Sequence, residues 1–205
     1  MIAVGVYLHY FRKRIDVIVS YGTNKTGLTA LALRILTGAR FIAEVPGNPA
    51  AAYIFDVAKP NFRTRIQHWR SKVLFSTLIR FADHLKLLYP TQLKAFPAAE
   101  KLPSSTFHDF LGISSMKPSE EDQGYLFCMG TPWYLKGVDL LIEAFKEIQS
   151  EFPKLRLRII GTAPDRPYFE ALVEGEERIE LHGGVSYEEA LQNVSSCTLF
   201  VLPSR

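Results

Sequence analysis

Several patterns that would assign this chain to a familiar class are missing from its 205 residues. Its only cysteines, Cys128 and Cys197, lie in apolar runs, which is typical of buried reduced thiols rather than of a disulfide scaffold. Neither they nor the five histidines show metal-ligand spacing, so we expect no bound metal. No uninterrupted apolar run approaches the ~18 residues of a membrane-spanning helix, and the apolar start lacks the charged and cleavage regions of a signal peptide. These absences predict a cytoplasmic protein.

Signatures of several nucleotide-dependent and hydrolytic enzymes are also absent. The sequence contains no Gly-x-Gly-x-x-Gly, no Walker motif and no Gly-x-Ser-x-Gly. This argues against a nicotinamide enzyme, a P-loop enzyme and a hydrolase with a nucleophile elbow. No DNA- or RNA-binding motif occurs, so a nucleic-acid partner is not expected.

Charge is divided unevenly along the chain. Residues 1–123 carry 16 Lys and Arg against 9 Asp and Glu, whereas residues 124–205 carry 8 against 12. The segment 118–123 is polar and almost free of apolar residues, which is typical of a domain boundary. We therefore predict a first domain at 1–117, a linker at 118–123 and a second domain at 124–205, with different partners for the two domains.

Strand-like and helix-like patterns alternate, which predicts an α/β protein with two Rossmann-like parallel-sheet domains. In such sheets ligands bind beyond the carboxyl ends of the strands. The segment 97–123 shows little periodicity of either helix or strand. The predicted strands are 15–21, 41–45, 84–88, 125–129, 155–159, 179–182 and 198–202. The predicted helices are 26–37 (with Thr26 as N-cap and Gly38 as stop), 61–82, 138–152, 167–173 and one that follows a capping box at 186–189.

The loop from Gly130 to Gly137 joins a predicted strand to a strongly amphipathic helix and is the most informative motif. A helix start presents free N–H groups and a partial positive charge, and Lys136 adds a full positive charge. We interpret the loop, with Thr131 in it, as a clamp for a diphosphate. The alternative is an ordinary helix start that carries an exposed lysine.

Two adjacent glycines, Gly183 and Gly184, follow the predicted strand 179–182 and precede Val185. Adjacent glycines let the backbone approach a ligand closely. The alternative is a tight turn without a ligand.

Residues 59–80 contain six basic residues and no acidic residue. On a helix, the apolar residues Phe62, Ile66, Trp69 and Val73 form one stripe with basic residues on both sides. This profile is typical of a helix that lies on an anionic membrane surface. The alternative is a helix that packs its stripe against the sheet and leaves a solvated basic rim.

From about Ile15 to Arg205 the order of elements resembles glycosyltransferase family 4, most clearly over 124–205. That family has the GT-B fold, with two Rossmann-like domains, and transfers a sugar from a nucleotide donor with retention and usually without metal. The resemblance implies that Lys136 and Gly130 belong to the diphosphate site and that residues 183–185 contact the base. Residues 201–204 resemble the strand and turn that lead into the family's two-glutamate signature.

The sequence departs from the family at several positions. Thr131 stands where an arginine is usual, and Val19 and Tyr21 replace a His-x-His pattern. Pro46 replaces another histidine, so no catalytic residue is assigned. Tyr21 and Asn48 are candidates for the acceptor side.

The resemblance implies a glycosyltransferase that uses a nucleotide-diphosphate sugar and a saccharide or lipid-linked acceptor, for envelope polysaccharide or glycolipid. Because family members are longer at both ends, we expect a fragment with little or no turnover. One alternative is a non-catalytic relic that binds a nucleotide sugar or acts as a membrane adaptor. Another is a sugar-nucleotide epimerase of GT-B shape, since a fold alone does not set function.

Overall fold

A computed structural model describes residues 15–22, 24–108 and 122–205. The chain divides into two compact units, one of Met1–Ala52 with Phe62–Leu111 and one of Tyr53–Asn61 with Gly112–Arg205. The short segment Tyr53–Asn61 joins the second unit, where the Ala58 N–H donates to Asp165 Oδ2 at 2.8 Å. Most of the predicted linker, 118–121, lies outside the described residues, so its boundaries stay a prediction.

The first unit contains a parallel sheet with the strand order β1-β2-β3-β4. The strands are β1 (Val17–Tyr21), β2 (Arg40–Val45), β3 (His84–Leu87) and β4 (Ser104–Thr106). Helix α1 (Lys25–Thr37) follows β1, helix α2 (Phe62–Ile79) follows β2, and 3-10 turns follow β3 at Pro90–Leu93 and Ala99–Lys101. Strand β4 and the second turn fall in the segment where the sequence shows little pattern.

The boundaries of α1 confirm one prediction and correct another. Gly38 ends the helix with a left-handed φ of 72°, a conformation that glycine adopts without a Cβ penalty. Thr26 is not the N-cap, because the helix begins one residue earlier with Asn24 in that position. The Thr26 hydroxyl instead donates to the Tyr21 carbonyl at 2.7 Å and so ties the helix to the end of β1.

Helix α2 turns its predicted apolar stripe to solvent, so the expectation that this stripe packs on the sheet is wrong. The helix packs through a different set of residues, namely Ser71, Phe75, Leu78 and Ile79. We call Phe62, Ile66, Trp69 and Val73 the exposed stripe; the exposed fraction is 79% for Phe62 and 65% for Trp69. No helix in the described residues is both long and apolar enough to cross a bilayer.

The second unit contains a parallel sheet with the strand order β7-β6-β5-β8. The strands are β5 (Tyr125–Gly130), β6 (Arg156–Gly161), β7 (Ile179–His182) and β8 (Leu199–Phe200). The helices are α3 (Val138–Ile148), α4 (Arg166–Leu172) and α5 (Tyr187–Ser196). Strands β6 and β7 lie on one side of β5, and β8 lies on the other. The order therefore reverses between β5 and β8, which is where open α/β sheets bind ligands.

Local sequence signals explain the helices of the second unit. The Ser186 hydroxyl accepts from the Glu189 N–H at 3.1 Å, which confirms the N-terminal cap of α5. Helix α3 buries an apolar face that includes Ile142 and Phe145. It ends at Ile148, before the predicted end at Phe152, whose side chain is exposed.

Candidate functional site

The loop from Thr131 to Gly137 lies at the carboxyl end of β5, beside the point where the strand order reverses. The side chain and the backbone of Trp133 both hold this loop in place. This side chain is fully buried and packs edge-to-face on Phe169, with ring centroids 5.3 Å apart. Its backbone N–H donates to the Thr162 carbonyl at 3.2 Å, which ties the loop to the end of β6. The loop is therefore an ordered part of the fold.

Lys136 lies across the end of β5. A Cβ built on Gly130 would come within 2.9 Å of Lys136 Cγ, so the absence of a side chain at Gly130 leaves room for the lysine stem. Lys136 is half-buried. In the part of the chain that the structure describes, its ammonium group forms no ion pair or hydrogen bond. A cation on an ordered loop is thus held at the strand end without a carboxylate to neutralise it.

Gly137 brings the loop against the segment after β8. It adopts a φ of 69°, and a built Cβ would lie 2.0 Å from the Pro203 carbonyl oxygen. No side chain fits at this distance, so glycine is required both for the backbone conformation and for the close approach. Two loops on either side of the reversal point are therefore in direct contact.

An ion pair between Arg205 and Asp139 joins the same two loops. Arg205 donates from Nη1 to Asp139 Oδ1 at 2.8 Å and from Nη2 to Oδ2 at 2.6 Å. Its guanidinium lies 4.0 Å above the Tyr134 ring, and its backbone N–H donates to the Leu135 carbonyl at 3.0 Å. The hydrogen bonds that the guanidinium of Arg205 donates to Asp139 raise the pKa of Arg205, which stays charged. We call this pair the Asp139–Arg205 clamp.

The Asp139–Arg205 clamp was not predicted from the sequence, although the sequence contains a signal for one of its two residues. Asp139 lies in the first turn of α3, where a carboxylate interacts favourably with the helix dipole. Its burial, with 6% of the residue exposed, requires a partner. Sequence alone does not show that the partner comes from beyond β8.

Thr131 is exposed and is occupied by a structural contact. Its hydroxyl oxygen accepts from the Thr162 N–H at 3.1 Å and lies 3.3 Å from the Thr162 hydroxyl. The side chain therefore bridges the ends of β5 and β6. Thr131 therefore adds no positive charge to that of Lys136 in the loop.

The segment Gly183–Val185 follows β7, two strands away from β5 at the same edge of the sheet. A Cβ built on either glycine meets no atom within 4 Å, so no contact within the described fold requires a glycine there. Val185 packs with a small apolar cluster that also contains Met129, near the end of β5. The structure thus gives the two glycines open space and Val185 a packing role.

The described residues of this edge offer no activated thiol and no cluster of metal ligands. Burial raises the pKa of Cys128 to about 11 although Lys136 acts in the opposite direction, so the thiol stays protonated at neutral pH. Within the described ranges there is no group of three or more His, Cys, Asp or Glu that could hold a metal ion.

The two acceptor-side candidates lie in the first unit. Tyr21 ends β1 and is 63% exposed. Asn48 is exposed, and its Oδ1 accepts from the Ala50 N–H at 3.0 Å, which stabilises the turn after β2. Both residues are at the carboxyl edge of their sheet. Gln92 fixes this edge by donating to the Val45 carbonyl at 2.6 Å.

Residues 123–205 match the family model described as Glycosyl transferases group 1. No curated protein matches the sequence. Among solved structures, S. aureus TarM is similar over 99% of this chain and 40% of its own, with a TM-score of 0.70 and 16% identity. Anabaena Alr3699/HepE is similar over 98% of this chain and 56% of its own, with a TM-score of 0.71 and 15% identity.

Another similar solved structure is named for a different activity. A Listeria monocytogenes structure named for UDP-N-acetylglucosamine 2-epimerase is similar over 97% of this chain and 54% of its own, with a TM-score of 0.54 and 13% identity. The chain thus spans 40% to 56% of the length of these three structures. At such identities the likeness shows the fold: the chain has the GT-B fold of glycosyltransferases, and its residues 123–205 match a glycosyltransferase family model.

Proposed function

We propose that this chain forms part of a family 4 glycosyltransferase that binds a nucleotide-diphosphate sugar and transfers the sugar, with retention, to a saccharide or lipid-linked acceptor. The observation that carries the proposal is Lys136, whose ammonium has no carboxylate partner among the described residues, on an ordered loop at the reversal point of the second sheet. A cation placed there before the ligand arrives needs little reorganisation to bind an anion. The proposed setting is the cytoplasm, in the synthesis of a polysaccharide or glycolipid.

Solved neighbours support the donor class. The TarM structure contains fondaparinux, alpha-GlcNAc-glycerol and UDP, and the HepE structure contains UDP and glucose. Both proteins share the fold that places the Lys136 loop at a sheet edge. We infer a nucleoside diphosphate moiety as the ligand of this loop.

The chemistry gives each part of the loop a role. When a sugar leaves its nucleotide, negative charge develops on the diphosphate. Lys136 would neutralise part of that charge. The Val138 N–H already donates to the Trp133 carbonyl at 3.1 Å, so the N–H groups that follow it in the first turn of α3 would donate to the phosphate oxygens. Preplaced charges of this kind lower a barrier by several kcal/mol where water is excluded. Residues 183–185 would contact the base through their backbone, in the open space beside the glycines.

We propose that no resident metal ion takes part in donor binding. The positive charge that a divalent ion would supply comes from Lys136. The affinity for a nucleoside diphosphate is therefore expected to be the same with and without EDTA. A loss of binding upon chelation would contradict this part of the proposal.

Binding without transfer is a second candidate function. Thr131 favours it, because an arginine usually stands at this position in the family that the chain resembles. Here the Thr131 hydroxyl accepts a hydrogen bond from the Thr162 N–H and supplies no positive charge. A site with one cation would still bind a diphosphate but would stabilise a leaving group less. Release of nucleoside diphosphate by the chain in the presence of an acceptor would exclude binding without transfer.

Calorimetric titration of the chain with UDP and GDP tests donor binding. We expect Lys136→Gln to weaken binding of the preferred diphosphate about tenfold or more, which corresponds to about 1.4 kcal/mol. The matched control is Lys154→Gln, which removes the same charge from an exposed position of the second unit. Equal affinities of the two variants, or no binding by the unmodified chain at millimolar ligand, would overturn the proposal.

A further inference from the structure

Helix α2 is apolar on two opposite sides. At about 100° per residue, the exposed stripe occupies one narrow arc and the buried residues centre on the arc opposite to it. Among the described residues, the first unit packs against the buried arc alone. The exposed stripe therefore has no role in the packing of the described residues, although it contains two aromatic side chains.

Basic residues border the exposed stripe on both sides. At the same helical spacing, Arg63 and Arg70 fall on one side of it, and Arg65 and Lys72 on the other. We call these four residues the basic flanks. All four are exposed, and none of them forms an ion pair with a carboxylate in the described part of the chain. The sequence from Lys59 to Arg80 also contains no acidic residue, so the positive charge of this face is not neutralised locally.

An open groove of about 550 Å³ continues this face at the end of the helix. Its apolar walls include Trp69, Phe81 and Phe96, and Lys72 and Arg80 also line it. Apolar walls with cations beside them suit an amphiphile whose head is anionic. The groove and the exposed stripe share Trp69 and Val73 and so form one surface.

We propose that this surface of the first unit docks onto a bilayer that contains anionic phospholipids. The exposed stripe would enter the boundary between headgroups and acyl chains, and the basic flanks would contact lipid phosphates on either side. Charge complementarity selects this occupant, because an uncompensated cationic rim around an apolar stripe fits an anionic interface. Lysine and arginine stems reach past the apolar stripe to the headgroups.

A membrane fits this surface better than a nucleic acid does. A nucleic acid would contact the basic flanks but would leave Phe62 and Val73 in water, since phosphate contacts need no apolar stripe. A bilayer uses both the charged and the apolar parts. This proposal goes beyond donor binding and does not depend on it, because it concerns the first unit alone.

Co-sedimentation of the chain with vesicles tests the proposal. We expect binding to phosphatidylglycerol-containing vesicles at low salt, weak binding to phosphatidylcholine vesicles, and loss of binding as salt screens the charges. The double variant Arg70→Gln/Lys72→Gln is expected to bind about tenfold or more weakly. Trp69→Ser should reduce binding by a similar factor. Lys154→Gln and Leu140→Ser change an exposed charge and an exposed apolar residue in the second unit and should bind like the unmodified chain.

Tryptophan fluorescence supplies a second readout that locates the contact. The chain has two tryptophans, and only Trp69 is exposed, so brominated lipids should quench Trp69 upon binding. Absence of binding to anionic vesicles at low salt would overturn the proposal, as would equal binding by the variants and controls. Binding of single-stranded RNA that is lost in the double variant, without vesicle binding, would assign the surface to nucleic acid and also overturn it.

Discussion

The two tryptophans of this chain show how differently its two units use similar sheets. The described part of each unit has four parallel strands, yet Trp133 is fully buried under a loop of the second unit, whereas Trp69 is 65% exposed on a helix of the first. In the second unit, aromatic burial and an ion pair fix the loops at the sheet edge. In the first unit, apolar surface is left outside the core. The fold alone therefore does not determine which part of a unit meets a ligand.

The comparison predicts a large loss of stability from truncating one tryptophan and almost none from truncating the other. Trp133→Ala should lower the free energy of unfolding of the second unit by about 3–5 kcal/mol, because it removes a fully buried aromatic side chain. Trp69→Ala should change the stability by no more than about 0.5 kcal/mol, because the side chain is largely in water. Urea unfolding followed by circular dichroism measures both values. Similar losses for the two variants would remove the basis of the comparison.

The Asp139–Arg205 clamp is the next largest expected effect. Asp139→Asn leaves the half-buried guanidinium of Arg205 without its charge partner and should cost about 3 kcal/mol. Glu143→Gln, an exposed change on the same helix, should cost little. If the clamp also positions the loop, Asp139→Asn will weaken nucleoside diphosphate binding although Asp139 is an anion. Stronger binding in this variant would indicate that its charge, and not its positioning role, dominates.

Glu180 provides a pH-dependent test within the second unit. Burial opposes ionisation of this carboxylate, but hydrogen bonds from His182 and Arg158 and the charges of Arg158 and Arg156 outweigh it and lower its pKa. A lowered pKa stabilises the fold above about pH 4.3, and this contribution disappears as the pH falls through the folded-state value. Glu180→Gln should therefore lose about 1–2 kcal/mol at pH 7.

The effect of the same substitution should shrink as the pH falls, because the carboxylate of the parent takes up a proton as the pH passes through its folded-state pKa. Unfolding experiments at pH 7 and at a series of lower pH values make this comparison. A loss that does not change with pH would show that Glu180 contributes by packing and not by its charge.

Sequence reasoning located most elements because the local signals agree with the fold. The turn glycine Gly38, the cap at Ser186 and the alternation of strands and helices all act through neighbouring residues. The wrong expectations concern features that depend on contacts between residues far apart in the sequence. The exposed stripe satisfies a helical pattern, but the sheet packs against the opposite face, which is also apolar. The spacing of apolar residues in α2 therefore does not by itself show which face packs on the sheet.

The candidate site was predicted in part for the same reason. Lys136 and Gly137 stand in a recognisable strand–loop–helix order, so their place at the strand end could be predicted. The contact of Gly137 with Pro203 and the clamp at Arg205 depend on bringing β8 beside β5. Pairing between strands that are far apart in sequence is not encoded in the loop itself.

The most direct test of the account is a crystal structure of the chain with the nucleoside diphosphate that it binds. The account predicts that the diphosphate lies at the carboxyl end of β5, in an ion pair with the Lys136 ammonium and close to the start of α3. A diphosphate bound elsewhere on the chain, with Lys136 facing solvent, would contradict the assignment of this loop as the donor site.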